Sequence, residues 1–292
     1  MHASILHNGQ ICGVSDRVLS PGQIGLLSGW GVFSTIRVAG GVLFAWERHW
    51  SRMQHDAKLL RVPFPADGEE VRGSLLRLVE ANHAHSATLR VVVVRNRGGI
   101  WAGPGIERDY DLIALTTDLK DWGEGARLAV APEARHSAQI FAGTKSLSWS
   151  MNLCWVEMAQ SRGYDEALLL NEHGNISECT SANVFVAAGG RVFTPPLSSG
   201  CLPGITRDVL LHDVEVPGIV VEEKDLRLTD LESADEVFIT STTRNLLPVL
   251  EVEGVGVRRR GEVRQRLADA FAEYVQKYVE KNKETTAAHR AI

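Results

Sequence analysis

The chain has 292 residues, of which 44% are hydrophobic and 23% charged, and its formal net charge at pH 7 is -5. This length and composition allow one large domain or two ordinary ones. The acidic balance gives no reason to expect nucleic acid or an anionic membrane as a partner. The N-terminus lacks the regions of a signal peptide, no apolar run reaches membrane-spanning length, and the four cysteines form no C-x-x-C pair. We therefore expect a cytoplasmic protein.

The first part of the chain is predicted to contain short strands and two helices. An Asn8-Gly9 pair predicts a hairpin turn between two short strands. We expect a glycine-rich loop over residues 22–31, with strands at 32–38, 42–45, 88–95 and 111–117. Apolar residues recur on one face over Glu47 to Leu60 and over Glu69 to Ala81, which predicts two helices.

A polar stretch at residues 118–125 interrupts this pattern and predicts a domain boundary. We assign residues 1–118 to a small first domain, 119–126 to a loop, 127–283 to a larger second domain and 284–292 to a disordered tail. The second domain is strand-rich, with helices expected at Ser148–Ser161, Ile205–His212 and Gly261–Lys281. Antiparallel strands mixed with helices indicate an α+β protein in two domains.

Two residues in the second half have the chemistry of a site for a ring-bearing cofactor. Lys145 could form a Schiff base if it is partly desolvated, although most lysines are surface groups. Glu178 could hold a pyridine nitrogen protonated, which makes the ring an electron sink, although it could also be a hairpin-edge carboxylate.

Three further features could bind the anionic part of such a cofactor. Arg48, at the start of a predicted helix, could bind a phosphate bidentately or be an ordinary surface residue. Gly204-Ile205-Thr206 opens a predicted helix, where free N–H groups and the helix dipole attract anions. The run Thr240 to Thr243 offers four hydroxyls, although such a run is often merely a polar turn.

Other patterns are weaker. His83 and His85 could ligate a metal, but no third ligand is spaced to join them, so we expect no metal site. The tryptophans suggest either an aromatic pocket or buried structural residues: Trp30, Trp101 and Trp122. A cysteine hydrolase using Cys179 would need a nearby histidine, and only His173 is local.

From Ile5 to Val252 the chain resembles the class IV pyridoxal-phosphate enzymes, which include branched-chain aminotransferases, D-amino-acid aminotransferases and aminodeoxychorismate lyase. The motifs that carry the resemblance are Glu47-Arg48-His49, Thr144-Lys145, Gly163-Tyr164-x-Glu166, Ile176-Ser177-Glu178, Asn183-Val184-Phe185, Leu202-Pro203-Gly204-Ile205-Thr206-Arg207, Ser241-Thr242-Thr243 and Leu247-Pro248-Val249. The resemblance implies fold type IV, with a small N-terminal and a larger C-terminal domain and pyridoxal 5'-phosphate between them. It also implies a homodimer.

The resemblance implies roles for individual residues of this sequence. Lys145 is implied as the Schiff-base lysine, which also moves the substrate proton, and Glu178 as the partner of the pyridine nitrogen. Tyr164 matches a tyrosine near the cofactor's ring oxygen. The implied phosphate ligands are Arg48, Gly204, Ile205, Thr206, Ser241 and Thr242. The substrate carboxylate is expected to bind among Arg37, Arg90, Arg95 and Arg97 and the turn at Thr243.

The choice of reaction stays open at this point. Ser34 stands where branched-chain and D-amino-acid enzymes typically carry a glutamate, which favours the lyase, as does the sequence after Glu178. Tyr164 and the Leu202 to Arg207 motif favour a branched-chain aminotransferase, and Ile100 stands where the lyase has a second basic residue. We favour an aminotransferase acting on a branched-chain-like amino acid, a D-amino acid or an amine, together with a 2-keto acid. The alternative is a lyase that releases 4-aminobenzoate and pyruvate.

Overall fold

A computed structural model describes residues 1–100, 106–258 and 260–290, and the chain divides into two compact units. The first unit comprises Met1–Lys120, Lys145–Trp149 and the chain from Val275 onward, and the second comprises Asp121–Thr144 and Ser150–Tyr274. The division after Lys120 falls inside the stretch that the sequence analysis assigned to a loop. The segment Lys145–Trp149, which that analysis assigned to the second domain, belongs instead to the first unit.

The first unit contains a six-stranded antiparallel sheet and two long helices. Its sheet order is β2-β1-β6-β5-β3-β4, with β1 Ser4–His7, β2 Gln10–Gly13, β3 Gly31–Ala39, β4 Val42–Leu43, β5 Ala87–Arg95 and β6 Tyr110–Asp118. The helices are α1 Ile24–Ser28, α2 Trp46–Leu59 and α3 Gly68–Ala81. Both predicted long helices are therefore confirmed to within a residue at each end.

The two faces of this sheet have different roles because side chains alternate along each strand. On β3, Val32, Ile36 and Val38 are buried in a core that also includes residues of α2 and α3. Phe33 and Arg37 project to the opposite face. Arg90 lies on that face too, because it pairs with Thr35 in the β3–β5 register. This second face, here called the Phe33 face, therefore carries two of the candidate arginines, Arg37 and Arg90.

The turn chemistry of the first unit confirms one prediction and corrects another. Asn8 and Gly9 both have positive φ, 48° and 82°, as a two-residue hairpin between β1 and β2 requires. The expected loop at 22–31 contains the helix α1, which ends where Gly29 adopts φ 61°. A five-residue helix is too short for apolar periodicity to reveal it, and the glycines of this stretch predict a loop.

The second unit contains an eight-stranded mixed sheet. The sheet order is β12-β11-β10-β13-β14-β7-β8-β9, with β7 Ala126–Arg135, β8 Glu166–Asn171, β9 Ile176–Cys179, β10 Asn183–Ala188, β11 Arg191–Thr194, β12 Val220–Glu223, β13 Glu236–Ser241 and β14 Asn245–Val252. The pairs β14–β7, β7–β8 and β11–β12 are parallel, and the others are antiparallel. Its helices are α4 Ser150–Ser161, α5 Ile205–His212 and α6 Leu228–Ser233.

The last helix, α7, spans Val263–Arg290. The sequence analysis expected a disordered tail from Glu284, and the backbone of α7 continues through that position as far as Arg290. The helix expected at Ile205–His212 has the predicted bounds. No helix within the described ranges is long and apolar enough to cross a membrane.

Candidate functional site

Lys145 is held against the first unit's sheet by its own backbone. The N–H of Phe33 donates to the Lys145 carbonyl at 3.1 Å, and the N–H of Leu147 donates to the Gly31 carbonyl at 2.9 Å. The Lys145 N–H donates to Oδ2 of Asp56 on α2 at 3.1 Å. A Cβ at Gly31 would fall 2.5 Å from the Leu147 side chain, so only glycine allows this approach. These contacts fix where the lysine side chain begins.

A buried polar network lies beside Lys145. Ser34 Oγ is 2.7 Å from His49 Nδ1 and accepts a hydrogen bond from Arg52 at 3.0 Å. Burial lowers the pKa of His49 well below 6.5, and the positive charges of Arg52 and Lys145 lower it further. Burial also lowers the pKa of Arg52 to about 10, an effect that Asp56 opposes. Burial raises the pKa of Asp56, against the hydrogen bond and charges that surround it.

This network identifies an arginine that sequence reasoning missed. The sequence analysis selected Arg48, which lies in the first turn of α2 and is half-buried. Arg52 lies one turn later on the same helix face, and its guanidinium shares the network of Ser34, His49 and Asp56. Arg52 therefore lies in the same cluster as Lys145.

On the Phe33 face of the sheet, one aromatic ring contacts both an amine and a guanidinium. Lys145 Nζ lies 4.6 Å from the Phe33 ring centroid, and the guanidinium carbon of Arg90 lies 3.9 Å from it. Burial lowers the pKa of Arg90 and of Arg37, which projects to the same face. Partly desolvated guanidinium groups bind carboxylates more strongly than fully solvated ones do.

The other two candidate arginines make different contacts. Arg95 donates to the carbonyls of Arg61 and Arg97 and stacks on Trp30, 4.1 Å from the ring centroid. Arg97 donates to Glu107 O and pairs with Asp109 at 3.4 Å. The structure therefore uses Arg95 and Arg97 to hold loops and does not bring them to Phe33. Trp101 lies outside the described residues.

In the second unit, Glu178 is held from two sides. Oε1 accepts from Arg135 Nε at 3.1 Å, and Oε2 accepts from the Leu202 N–H at 3.1 Å. Arg135 also donates to Asn152 Oδ1 at 3.2 Å. The residue is only 8% exposed, and the guanidinium favours its ionised form. A carboxylate fixed and charged in this way can accept a hydrogen bond from a protonated ring nitrogen.

The N-terminus of α5 lies against the end of β13 through Asn183. Asn183 Nδ2 donates to the Leu202 carbonyl at 2.9 Å, and its Oδ1 would be 1.9 Å from a Cβ at Gly204. Asn183 pairs with Thr240 across the β10–β13 ladder, so their side chains share a face. The chain Gly204-Ile205-Thr206 therefore starts its helix next to the strand that leads into Ser241.

The Ser241 to Arg244 turn continues this cluster. The two hydroxyls of Ser241 and Thr243 lie 3.5 Å apart, and the Arg244 N–H donates to Ser241 Oγ at 3.2 Å. Trp122 Nε1 donates to the Thr243 carbonyl at 3.1 Å. Trp122 thus has a structural role in the turn, one of the two interpretations that the sequence left open.

Tyr164 is not part of this cluster. It packs against Ala159 and its neighbours, with the Arg127 guanidinium 5.6 Å from its ring centroid. It lies before β8, five residues from Leu169, which pairs with Glu178. At about 3.3 Å per strand residue, this puts Tyr164 far from that carboxylate. The role near the cofactor's ring oxygen that the resemblance implied for Tyr164 stays a prediction.

The second unit's residues fit an anionic, ring-bearing cofactor. Thr240 Oγ1 is buried and has no hydrogen-bond partner among the described residues, although buried hydroxyls usually have one. Gly204 supplies no side-chain cap, which leaves the first N–H groups of α5 available to an anion. The same described residues include no group of three or more metal-ligating side chains.

Comparison with known proteins identifies the family. Residues 31–252 match the model of amino-transferase class IV. Over 281 residues the chain is 31% identical to the branched-chain-amino-acid aminotransferase of Salmonella typhimurium, covering 91% of both chains. It is 30% identical to the D-alanine aminotransferase of Bacillus licheniformis over 254 residues, 86% of this chain and 88% of that one. The branched-chain amino acid aminotransferase of Escherichia coli has a TM-score of 0.86 at 28% identity, with 94% of each chain covered.

The chain belongs to the class IV aminotransferases. It is a transaminase of fold type IV, and its cofactor is pyridoxal phosphate. The resemblance stated from its motifs is confirmed. The two relatives act, by their names, on different substrates and are almost equally similar to it, so overall identity does not select the substrate of this aminotransferase.

We predict that His49 makes the stability of this aminotransferase depend on pH. Because the folded-state pKa lies below 6.5, the unfolded chain binds a proton that the folded chain does not bind. The stability contribution is complete above pH 6.5 and decreases as the pH falls toward the folded pKa, by up to about 1.4 kcal/mol per pH unit. Urea unfolding of the cofactor-free protein between pH 5 and pH 7.5 measures this slope.

The His49→Gln variant should have a shallower slope below pH 6.5 than the unsubstituted protein. His55→Gln is the matched control, because His55 is an exposed residue of the same helix. Parallel curves for His49→Gln and the unsubstituted protein would contradict the assignment of a neutral, buried His49.

Proposed function

We propose that this aminotransferase moves the amino group of a branched-chain-like amino acid, a D-amino acid or an amine to a 2-keto acid, with Lys145 as the Schiff-base lysine. In this proposal Glu178 is the partner of the pyridine nitrogen. The phosphate is bound by Arg52, by the N–H groups of Ile205 and Thr206 behind Gly204, and by the hydroxyls of Ser241 and Thr242. We replace Arg48 by Arg52 in this role because Arg52 shares the buried network beside Lys145.

The observation that carries the proposal is the surface around Phe33. The Lys145 amine and the Arg90 guanidinium both lie within 5 Å of one ring centroid. An amino acid and a 2-keto acid each present a carboxylate one carbon away from the reacting nitrogen or oxygen. An amine and a guanidinium that contact the same apolar ring offer one group for the reacting atom and one for the carboxylate.

The chain's own residues would supply positioning and proton transfer. When bound, pyridoxal phosphate provides the electron sink for the carbon that loses a proton. Lys145 takes that proton as a general base and returns it as a general acid. Arg135 and the Leu202 N–H keep Glu178 ionised and oriented, so that it can hold a positive charge on the ring nitrogen.

The first test is the visible absorption spectrum with pyridoxal phosphate added. Lys145→Ala should lose the Schiff-base absorption band and about 10²–10⁴-fold of its activity, because the same amine forms the bond and moves the proton. Glu178→Gln should keep the band and lose turnover. Lys58→Ala, an exposed lysine of α2, is the control and should behave as the unsubstituted protein does. A Lys145→Ala protein that keeps the band would refute the assignment.

The same preparation separates the transaminase from the lyase. A band that changes on adding one amino acid and returns on adding a 2-keto acid identifies an aminotransferase and its donor. Release of pyruvate and 4-aminobenzoate from aminodeoxychorismate, with no response to amino acids, would favour the lyase. Ser34, one of the two sequence features that favour the lyase, is buried against His49 and Arg52 and not on the Phe33 face.

We propose that Arg37 and Arg90, together with the turn at Thr243, bind the substrate carboxylate. Arg90→Gln and Arg37→Gln should each raise the KM of the amino-acid substrate by roughly tenfold or more, because a hydrogen bond to a charged group contributes about 1.5–3 kcal/mol. Arg97→Gln is the control, since its guanidinium is bonded to a loop carbonyl and to Asp109. Steady-state kinetics decide this, and an unchanged KM in both strand variants would remove these arginines from the proposal.

We propose that the protein is a cytoplasmic homodimer. Four cysteines without disulfides suit a reducing compartment. Helix α4 buries only Ala159 and exposes Met151, Leu153 and Met158 by 66%, 51% and 52%. Apolar residues exposed in this way are typical of a protein contact.

Light scattering after size exclusion should give twice the mass of one chain, and Met151→Glu with Met158→Glu should shift the protein toward the monomer. Val220→Glu, which alters an exposed apolar residue of β12, is the control. A monomeric unsubstituted protein would contradict the dimer.

A further inference from the structure

Arg244 is a buried cation at the end of the Ser241 to Arg244 turn. Its side chain is 7% exposed, and it pairs at 3.1 Å with the carboxylate of Glu166, which is 2% exposed. It also donates to the Ser181 carbonyl at 3.2 Å. Ser181 Oγ donates to the same carboxylate at 2.7 Å, and Thr180 Oγ1 donates to it as well. The end of the turn is therefore tied to the start of β8 and to the residues after β9.

Trp122 contacts both Arg244 and the turn that precedes it. The Arg244 guanidinium carbon lies 3.8 Å from the Trp122 ring centroid, and the indole N–H donates to the Thr243 carbonyl at 3.1 Å. One tryptophan therefore supports the turn twice, through its ring face and through its N–H. Hydrogen bonds hold the turn at Ser241, Thr243 and Arg244, and these bonds orient its hydroxyls.

A buried ion pair of this kind is a poor source of net stability. Removing two charges from water costs about as much as their attraction returns, whereas apolar residues of the same volume are often as stable or more so. The pair instead fixes the relative orientation of its two side chains, because a guanidinium and a carboxylate bond in only a few geometries. The pair lies directly behind the hydroxyls of the turn, where a fixed orientation of Arg244 also orients those hydroxyls.

We infer that Arg244 is a positioning residue, clamped between Glu166 and Trp122, that sets the Ser241 to Thr243 turn in the geometry required to bind the cofactor phosphate. This inference rests on the proposed function, in which that turn supplies phosphate ligands. It adds three residues to the proposed site, none of which touches the cofactor. Their effect is transmitted through the turn alone.

The test compares the binding of pyridoxal phosphate and of pyridoxal to the cofactor-free protein, by absorbance titration. Both probes can react with Lys145, but only one carries a phosphate, so the ratio of their dissociation constants measures phosphate recognition. Arg244→Lys keeps the charge but loses the planar stack and the fork of donors. We expect it to reduce the preference for pyridoxal phosphate about tenfold, with the affinity for pyridoxal nearly unchanged.

Trp122→Phe provides a second variant with a smaller change. It removes the N–H bond to Thr243 and keeps an aromatic face for Arg244, so the preference should fall about threefold. Leu231→Ala, in the buried core of the same unit, is the control for lost stability and should leave the ratio unchanged. If Arg244→Lys does not fold, the Trp122→Phe ratio decides the question alone.

The possible outcomes distinguish a failure of the inference about Arg244 from a failure of the proposed function. An unsubstituted protein that does not prefer pyridoxal phosphate over pyridoxal would overturn the proposed phosphate site itself. An unsubstituted protein with a strong preference, and variants that lose stability but keep the ratio, would overturn the role of Arg244 alone. In that case the ion pair would be structural only.

Discussion

The bonds that hold the Glu178 carboxylate determine the geometry of the second unit's site. Each oxygen is bonded to a different element, one to Arg135 at the end of β7 and the other to the N–H of Leu202, which leads into α5. A single side chain thus relates a strand of the sheet to the start of a helix. Loss of either partner would leave a buried carboxylate poorly compensated, at a cost of about 3–5 kcal/mol for a fully buried pair. The amides of α5 keep their position relative to Glu178 for the same reason.

Partly buried arginines recur in both units, each beside a carboxylate. Arg135 bonds Glu178 and Arg244 bonds Glu166, while Asp56 raises the pKa of Arg52 against the effect of burial. Hydrophobic packing would stabilise the same positions at less cost in desolvation. The charges are therefore better explained by what they orient than by what they stabilise. A site that must recognise a phosphate and a carboxylate needs fixed dipoles and charges before the ligand arrives.

The sequence predicted the residues that carry a chemical signature and missed those that act through contacts. Gly204-Ile205-Thr206 could be predicted because a helix start with a glycine has a local pattern, and Asn8-Gly9 because its turn does. Arg52 and Arg135 carry no such pattern, since an arginine's partner depends on which strands and helices meet. Arg52 had one usable signal, its spacing of four residues from Arg48.

Tyr164 was assigned from a motif, which gives a position in the chain but not the direction of a side chain. Tyr164 packs with small buried residues of β7, α4 and β8, whereas Glu178 lies five strand residues further along the pairing of β8 with β9. The same limitation affected Lys145, whose segment pairs with β3 although the chain on both sides of it belongs to the second unit.

The alternation of side chains on β3 decides how Ser34 should be interpreted. Phe33 projects to the face that carries Arg90 and the Lys145 amine, whereas Ser34 projects to the helix side and bonds His49 and Arg52. A glutamate at position 34 would therefore lie beside the Arg52 cation and not on the Phe33 face. Its absence changes the charge around the proposed phosphate-binding arginine and leaves the Phe33 face as it is. The departure at Ser34 therefore bears on the surroundings of Arg52 and His49 and not on the Phe33 face.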